Sequence, residues 1–319
     1  MKRDYFLSVD WGTSNFRLRL VEKKSVQVVK EIVSPAGVKS FYSKWEEEGG
    51  DREYLFLNFL KSQINQLDYT VPEDIEIVIS GMASSNIGIR ELPYATLPFN
   101  INGDGLFIEV IKNSLFPFGV RLVSGVCSDS DIIRGEETQM LGLTGNENIY
   151  GKNIFILPGT HSKHIVCENG KITGFNTFMT GELFQVISTH SILKNSIEKP
   201  TSDFIDLGAF DEGVHNSQSN GSILKNLFKI RAWDVLGKSS ARENYCFLSG
   251  LLIGQEMASL KSMPFDQIQL CAGNNLHEYY KRAIQKLELD ERTVIIEKEH
   301  VENSVIRGQL KLLQQKISA

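Results

Sequence analysis

The sequence predicts an α/β protein built from two duplicated domains, each a mixed sheet flanked by helices. Two observations predict it. The order strand, polar turn, strand, strand, helix occurs once from Phe6 and again from Asn153, with further strands and helices after each copy. A Gly-Thr pair, Gly12-Thr13 and Gly159-Thr160, stands at the same place in both copies, in the turn between the first two strands. The next turns correspond too, Glu22-Lys23-Lys24 against Glu168-Asn169-Gly170-Lys171. Two such domains would leave a cleft between them, where small ligands bind.

Phe6–Val9 is short, mostly apolar and β-compatible, and Gly12-Thr13-Ser14-Asn15 is turn chemistry. From Phe16 the pattern alternates, with Phe16, Leu18 and Leu20 on one face and Arg17 and Arg19 on the other. Ser25–Val33 reads as a third strand, ended by Ser34-Pro35-Ala36-Gly37. One helix is expected over Glu46–Leu67, on a stripe of Leu55, Phe59, Leu60, Ile64 and Leu67. Ile75–Ile79 is a buried strand, followed by the polar, glycine-bounded loop Gly81–Gly88, a common setting for ligand contacts. Leu92–Pro98 reads as a connector, Phe107–Leu115 as a short helix and Val120–Val123 as a fifth strand.

In the second copy, Asn153–Leu157, Lys163–Cys167 and Ile172–Phe178 are strands, the last two joined by an Asn-Gly hairpin turn. A helix is expected over Glu182–Leu193. Residues 195–238 read as a polar insertion with one amphipathic helix carrying Ile223, Leu224, Leu227 and Phe228. Glu243–Leu260 is a helix whose Gly250 and Gly254 allow close packing, Gln267–Cys271 a strand, Gly273-Asn274-Asn275 a turn and Leu276–Leu287 a helix. Thr293–Ile296 and Glu302–Gln315 are the last strand and helix, and the domain boundary is set between residues 130 and 131.

The 319 residues suffice for two medium domains, and 41% hydrophobic residues supply their cores. A net charge of −5 weighs against nucleic acid or an anionic membrane as main partner. Cys127, Cys167, Cys246 and Cys271 form no CxxC, which suits free thiols in a reducing cytoplasm better than disulfides or zinc. Met1-Lys2-Arg3-Asp4 runs straight into the first strand, leaving no room for a signal peptide. Apolar stretches such as Leu251-Leu252-Ile253 are too short to span a bilayer.

The first hairpin tip offers backbone N–H groups and hydroxyls to an anion. Asp10 sits at its mouth, and a carboxylate beside a phosphate is repulsive unless a cation lies between; Mg²⁺ held through water by one carboxylate and phosphate oxygens meets that need. Gly159–Lys163 would hold phosphates from the other side, with His161 and Lys163 as donors. His161 and His164, three apart on a strand, would not converge on a metal. Gly145–Lys152 ends in Gly-Lys, but its spacing is wrong for a P-loop and Asn153 stands where Ser or Thr is needed. Ala272-Gly273-Asn274-Asn275 lets the backbone approach an adenosine. Asp131–Gln139 is the densest cluster of functional groups. Phosphorylating an alcohol needs a carboxylate to take its proton, and Glu137, Glu136 and Asp131 are the candidates. The competing reading puts these acids in a helix's first turn, where they favour its dipole.

Asp10-Trp11-Gly12-Thr13-Ser14-Asn15-Phe16-Arg17, the second Gly-Thr hairpin and the Ala-Gly turn together resemble the sugar kinase/actin/heat-shock chaperone ATPase superfamily. Within it, Val9–Asn15, Arg134–Gln139, Leu157–Lys163 and Met179–Leu183, with Ser80-Gly81-Met82 and Leu248–Gly254, resemble the 2-dehydro-3-deoxygalactonokinase family over essentially the whole chain. The resemblance implies two ribonuclease H-like (actin-like ATPase) domains with the active site in their cleft. Residues 1–130 would bind sugar and phosphate, and residues 131–319 the nucleotide. It implies ATP and Mg²⁺ as cofactors and phosphorylation of the C6 hydroxyl of 2-dehydro-3-deoxy-D-galactonate in D-galactonate catabolism. A kinase for a related acid such as 2-dehydro-3-deoxygluconate and a non-kinase actin-like ATPase are the alternatives. Glu137 is the first choice of base, before Glu136 and Asp131. Asp10, Gly12, Thr13, Ser14, Asn15, Gly159, Thr160, His161, Lys163, Gly273, Asn274 and Asn275 are the expected phosphate and cofactor residues. Arg17, Arg90 and Arg134, unranked, are candidates for the substrate carboxylate, with Ser84 and Asn86 nearby. A small sugar acid is the expected partner, without nucleic acid or membrane, and a homodimer is left open.

Overall fold

Residues 4–72, 74–145, 149–200, 206–219 and 222–315 are described by the computed structural model. In chain order the elements are β1 (Tyr5–Trp11), β2 (Phe16–Glu22), β3 (Gln27–Ser34), α1 (Val38–Glu48), α2 (Arg52–Asn65), β4 (Glu76–Gly81), β5 (Ala95–Thr96), β6 (Phe99–Asn100), β7 (Ile108–Asn113), β8 (Phe116–Val123), β9 (Val126–Cys127), β10 (Ile132–Ile133) and α3 (Glu136–Thr144). There follow β11 (Lys152–Leu157), β12 (Ser162–Glu168), β13 (Lys171–Phe178), α4 (Thr180–His190), α5 (Leu207–Gln218), α6 (Ile223–Val235), α7 (Ala241–Met257), β14 (Gln267–Leu270), α8 (Asn274–Lys286), β15 (Thr293–Ile295), α9 (Lys298–Glu302) and α10 (Ser304–Gln314).

Two units divide the chain. Unit 1 holds Met1–Ile149, Gly170–Gly174 and Glu299–Ala319; unit 2 holds Tyr150–Asn169 and Phe175–Lys298. The sheet of unit 1 has the order β3-β2-β1-β4-β8-β7. Its β1–β2 pair is antiparallel, and β1–β4 and β4–β8 are parallel. Unit 2 repeats this order as β13-β12-β11-β14-β15, with β11–β12 antiparallel and β11–β14 and β14–β15 parallel. The duplicated α/β fold expected from the repeat is thus present over five strands of each sheet.

In unit 1, Phe16, Leu18 and Leu20 are fully buried, as their alternation predicts. Trp11 packs against Phe16, Phe41, Phe56 and Phe59 and donates from its indole to Ala36 O at 3.0 Å, fixing the base of the first turn. In unit 2, Ile154, Ile156, Ile268 and Leu270 from β11 and β14 form one core with Ile253 and Met257 of α7.

Four expectations are corrected. The single helix over Glu46–Leu67 is two helices, because Gly49 and Gly50 take φ of +71° and +90°, and Asp51 then caps α2 by accepting from Tyr54 N at 3.1 Å. Phe107–Leu115 is not helical: β7 pairs antiparallel with β8, whose Phe116, Phe118, Val120 and Leu122 are buried. The insertion holds two helices, α5 and α6. A Cβ on Gly213 would lie 2.2 Å from Phe247 O and one on Gly250 would lie 2.1 Å from Phe210 O, so α5 meets α7 backbone to backbone. The same contact bears out the close packing expected at Gly250 and Gly254. Finally, residues 131–149 and the last helix group with unit 1, not with the second half. Gly142 and Gly308 let α3 and α10 touch, a Cβ at either falling within 2 Å of Ser304 O or Thr138 O.

Residues 1–3 of the proposed signal-free start, 146–148 of the rejected Gly-Lys match, and 201–205 and 220–221 of the insertion lie outside the described residues. All four cysteines are free thiols. Among the described residues no helix is long and apolar enough to cross a membrane.

Candidate active site

The turn Gly12–Asn15 closes on a Gly12 N–H to Asn15 O bond of 2.9 Å. Its outer carbonyls are received by the start of α1, Val38 N to Gly12 O at 3.0 Å and Lys39 N to Thr13 O at 3.2 Å. Gly37 makes this possible, since a Cβ there would lie 2.2 Å from Thr13 O and 2.4 Å from the Ser14 backbone. With its carbonyls turned onto α1, the turn exposes Thr13, Ser14 and Asn15. Unit 2 repeats the device. Glu182 N donates to Thr160 O at 3.0 Å, and a Cβ on Gly181 would lie 2.6 Å from Gly159 O. The sequence reading missed the pairing of Gly37 with Gly181; the signal was a glycine in each copy just where the helix after the third strand begins.

Asp10, next to last in β1, is half-buried opposite Arg17 on β2 and Ser80 on β4. Burial pushes its carboxyl up; Arg19 and Arg17 act against that, and the Glu136 charge adds to it. Gly81 adjoins it at φ +89°, where a Cβ would lie 3.5 Å from Asp10 Oδ1, so the missing side chain keeps space open beside that oxygen. Gly135, at φ +114°, comes within reach of Gly81, its Cβ position lying 3.4 Å from Gly81 Cα. The fold therefore brings Asp10 and the Arg134–Glu137 segment together in unit 1.

Both glutamates stand in the first turn of α3. Half-buried Glu136 accepts the Arg134 N–H at 3.0 Å through Oε2. Glu137 is fully buried, accepting from Gly135 N at 2.6 Å and Thr138 Oγ1 at 3.0 Å. Burial and the Glu136 charge push its carboxyl up to about 7 against those hydrogen bonds. Arg134 Nη1 donates to Ser84 O and Ser84 Oγ at 2.6 Å each. Asp131 closes a separate turn, its N–H donating to Ser128 Oγ at 2.9 Å and its Oδ1 accepting from Ile132 N at 2.7 Å.

Arg90 pairs with Glu53 and Glu109. Arg17 is exposed and lies 3.6 Å from Glu31. Asn86 is exposed, and its carbonyl accepts from Arg52 Nη1 at 2.8 Å. In unit 2, His161 pairs with Glu182 at the surface. Lys163 is buried and donates to His161 O at 2.8 Å, bracing the turn from beneath. Gly273 caps α8, which already begins at Asn274 where a turn was expected; the side chains of Asn274 and Asn275 lie outside the described residues.

The sequence reading also missed a buried hub below the second turn. Glu256 of α7 accepts from Ser162 Oγ at 2.7 Å, Thr180 Oγ1 at 2.5 Å and Tyr280 OH at 2.8 Å, and meets His164 Nε2 at 2.9 Å. Burial pushes its carboxyl up, but the hydrogen bond and charge of His164 and the two hydroxyls outweigh it and hold it below the usual range. Glu256→Leu would take the shared acceptor from four donors, three of them buried, so a loss of about 3 kcal/mol or more is expected in urea unfolding. A change under about 1 kcal/mol would mean that the hub bears little load.

No three His, Cys, Asp or Glu side chains gather as a metal site among the described residues. Asp10, with open space beside Oδ1 and Glu136 close by, still fits a cation held mainly by water and by a ligand's own oxygens.

A family model described as 2-keto-3-deoxy-galactonokinase matches residues 10–308. A Rhizobium meliloti protein named "Probable 2-dehydro-3-deoxygalactonokinase DgoK1" is 30% identical over 91% of this chain and 92% of its own. The 2-dehydro-3-deoxygalactonokinase of Escherichia coli is 29% identical over 89% of this chain and 91% of its own. A solved structure described as "Crystal structure of a putative 2-dehydro-3-deoxygalactonokinase protein from Sinorhizobium meliloti" matches with a TM-score of 0.78 at 26% identity, covering 99% of both chains.

Proposed function

The chain belongs to the 2-keto-3-deoxy-galactonokinase family, and on that footing we propose that it transfers the terminal phosphoryl group of ATP to the C6 hydroxyl of 2-dehydro-3-deoxy-D-galactonate, giving the 6-phosphate and ADP. The observation that carries this reading is the duplicated turn. Gly12–Asn15 and Gly159–Lys163 are each pinned by the helix that follows, and in unit 1 the pinned turn lies beside the carboxylates of Asp10 and Glu136.

In this reading the exposed N–H groups and hydroxyls of the first turn hold phosphate oxygens. His161 and Thr160 serve the second turn, and Lys163 supports it from below. Gly273, whose Cβ would meet nothing within 4 Å, leaves the start of α8 open to the adenosine. Asp10 is the residue that would hold Mg²⁺, which when bound would supply charge neutralisation on the phosphates. Glu136 takes the proton of the C6 hydroxyl. Glu137, the first choice from sequence, has a base's proton affinity but no exposed surface, whereas Glu136 is half-exposed and couples to Asp10. Asp131 is occupied in its own turn. The reading is of a cytoplasmic enzyme, in keeping with four free thiols.

A coupled assay of ADP release over a panel of 2-keto-3-deoxy sugar acids tests the proposal. ADP release that depends on 2-dehydro-3-deoxy-D-galactonate is expected. Preference for the gluconate epimer would move the substrate assignment, and sugar-independent ADP release would overturn the kinase reading. The turn itself has its own test. Gly37→Ala is expected to raise the KM for ATP by about tenfold or more, because the new methyl displaces Thr13 and Ser14. Gly119→Ala, where a Cβ meets nothing within 4 Å, is the control and should leave that KM unchanged.

A further inference from the structure

Tyr94, Gly125 and Arg134 occupy one row of the small sheet β10-β9-β5. Ala95 pairs with Val126 in parallel, and Val126 with Ile133 antiparallel. Tyr94 and Gly125 precede their strands' paired residues, and Arg134 follows its own, so the three fall side by side with the glycine in the middle. Having no side chain, Gly125 lets the outer two meet, and the Arg134 guanidinium lies 4.1 Å from the centre of the Tyr94 ring. A Cβ on Gly125 would lie 2.4 Å from Ile133 O and 3.0 Å from Tyr94 Cε1. The row is built for this stack.

Ser84 fixes the guanidinium in its plane by taking both hydrogen bonds of Nη1. Nε is buried and has no partner among the described residues. Nη2 makes no hydrogen bond among the described residues, so with Nη1 held by Ser84 and Nε sealed it is the donor the anchored guanidinium has left to offer. A charge-assisted N–H···O bond from a guanidinium to a carboxylate is among the strong ones. The other two arginines offer no comparable donor. Arg90 is committed to Glu53 and Glu109, and Arg17 stands exposed beside Glu31.

We propose that Arg134, stacked on Tyr94 and anchored by Ser84, binds the carboxylate of the 2-keto acid through Nη2. This rests on the kinase reading above. It makes Ser84 a holder of the arginine and adds Tyr94 to the substrate site. It also explains how a sugar acid would be told from a neutral sugar: a ligand without the carboxylate leaves the guanidinium charge and its Nη2 donor unmet.

The test pairs a substitution in the enzyme with one in the substrate. The keto-deoxy sugar acid and its primary amide are compared on the wild type and on Arg134→Met. The wild type is expected to prefer the acid by about 10–100-fold in kcat/KM, and Arg134→Met to lose that preference while keeping the KM for ATP within about twofold. A purely structural role would lower both substrates alike and keep the preference, which overturns the proposal. Should Arg134→Met fail to fold, Tyr94→Leu reads the same quantity and is expected to reduce the preference severalfold; an unchanged preference there also overturns it. Failure of the kinase reading is distinct, since the wild type would then release no sugar-dependent ADP at all.

Discussion

Glu136→Gln is expected to lower kcat by about 10²–10⁴-fold while the KM values for ATP and sugar acid stay within about threefold. The amide keeps the shape and an acceptor for the Arg134 N–H but cannot take a proton. Glu137→Gln is the matched comparison. Its side chain is sealed beneath Gly135 and Thr138, so kcat should fall far less than in Glu136→Gln. Stability separates the two further. Glu137 titrates near 7 in the fold against an ordinary 4.5, so between those values the folded chain binds more protons than the unfolded one. Its contribution is complete below about pH 4.5 and is lost as pH rises through about 7. Removing the charge should therefore stabilise the protein at pH 8, by up to about 3 kcal/mol, and flatten the fall of Tm with pH over that window. If Glu137→Gln instead loses turnover as severely as Glu136→Gln, with unchanged stability, the two roles are reversed.

The parts of the fold legible in the sequence are those fixed locally. β1 to β3 and β11 to β13 carry their own alternation and turn residues, and Gly12-Thr13 and Gly159-Thr160 mark equivalent turns because a tight hairpin needs the same chemistry twice. What was missed depends on partners distant in the chain. β7 has only Ile111 buried and becomes a strand by pairing with β8. α5 is polar enough to read as insertion, and only the Gly213–Gly250 contact explains its place against α7. In the site, the residue types at positions 10, 134, 136 and 137 announced charge chemistry, but their division of labour follows from burial and register. Glu137 and Glu136 are adjacent and identical in type, and only the first turn of α3 decides which is sealed. Tyr94 carries no motif and meets Arg134 only because Gly125 stands between them in the sheet.

Asp10→Asn should lower turnover by about 10²–10³-fold at saturating substrates, with no loss of thermal stability at neutral pH. The two halves of that expectation have separate causes. The carboxylate lies half-buried near the end of β1, and burial raises its proton affinity more than Arg19 and Arg17 lower it. A group whose folded value is raised supports the fold at low pH and works against it once pH passes that value, so the neutral amide removes a strain at pH 7. What the amide cannot supply is the negative charge that would hold Mg²⁺ water against the phosphates. The dependence of rate on Mg²⁺ concentration should shift upward in this variant, since the remaining hold comes from the nucleotide itself. That shift is the signature that distinguishes a metal holder from a residue that merely shapes the turn, which would lose rate at every Mg²⁺ concentration alike. Wild-type turnover in Asp10→Asn would end the metal assignment. A collapse of Tm together with activity would instead make Asp10 part of the hairpin's architecture, through its pairing with Arg17 and Ser80.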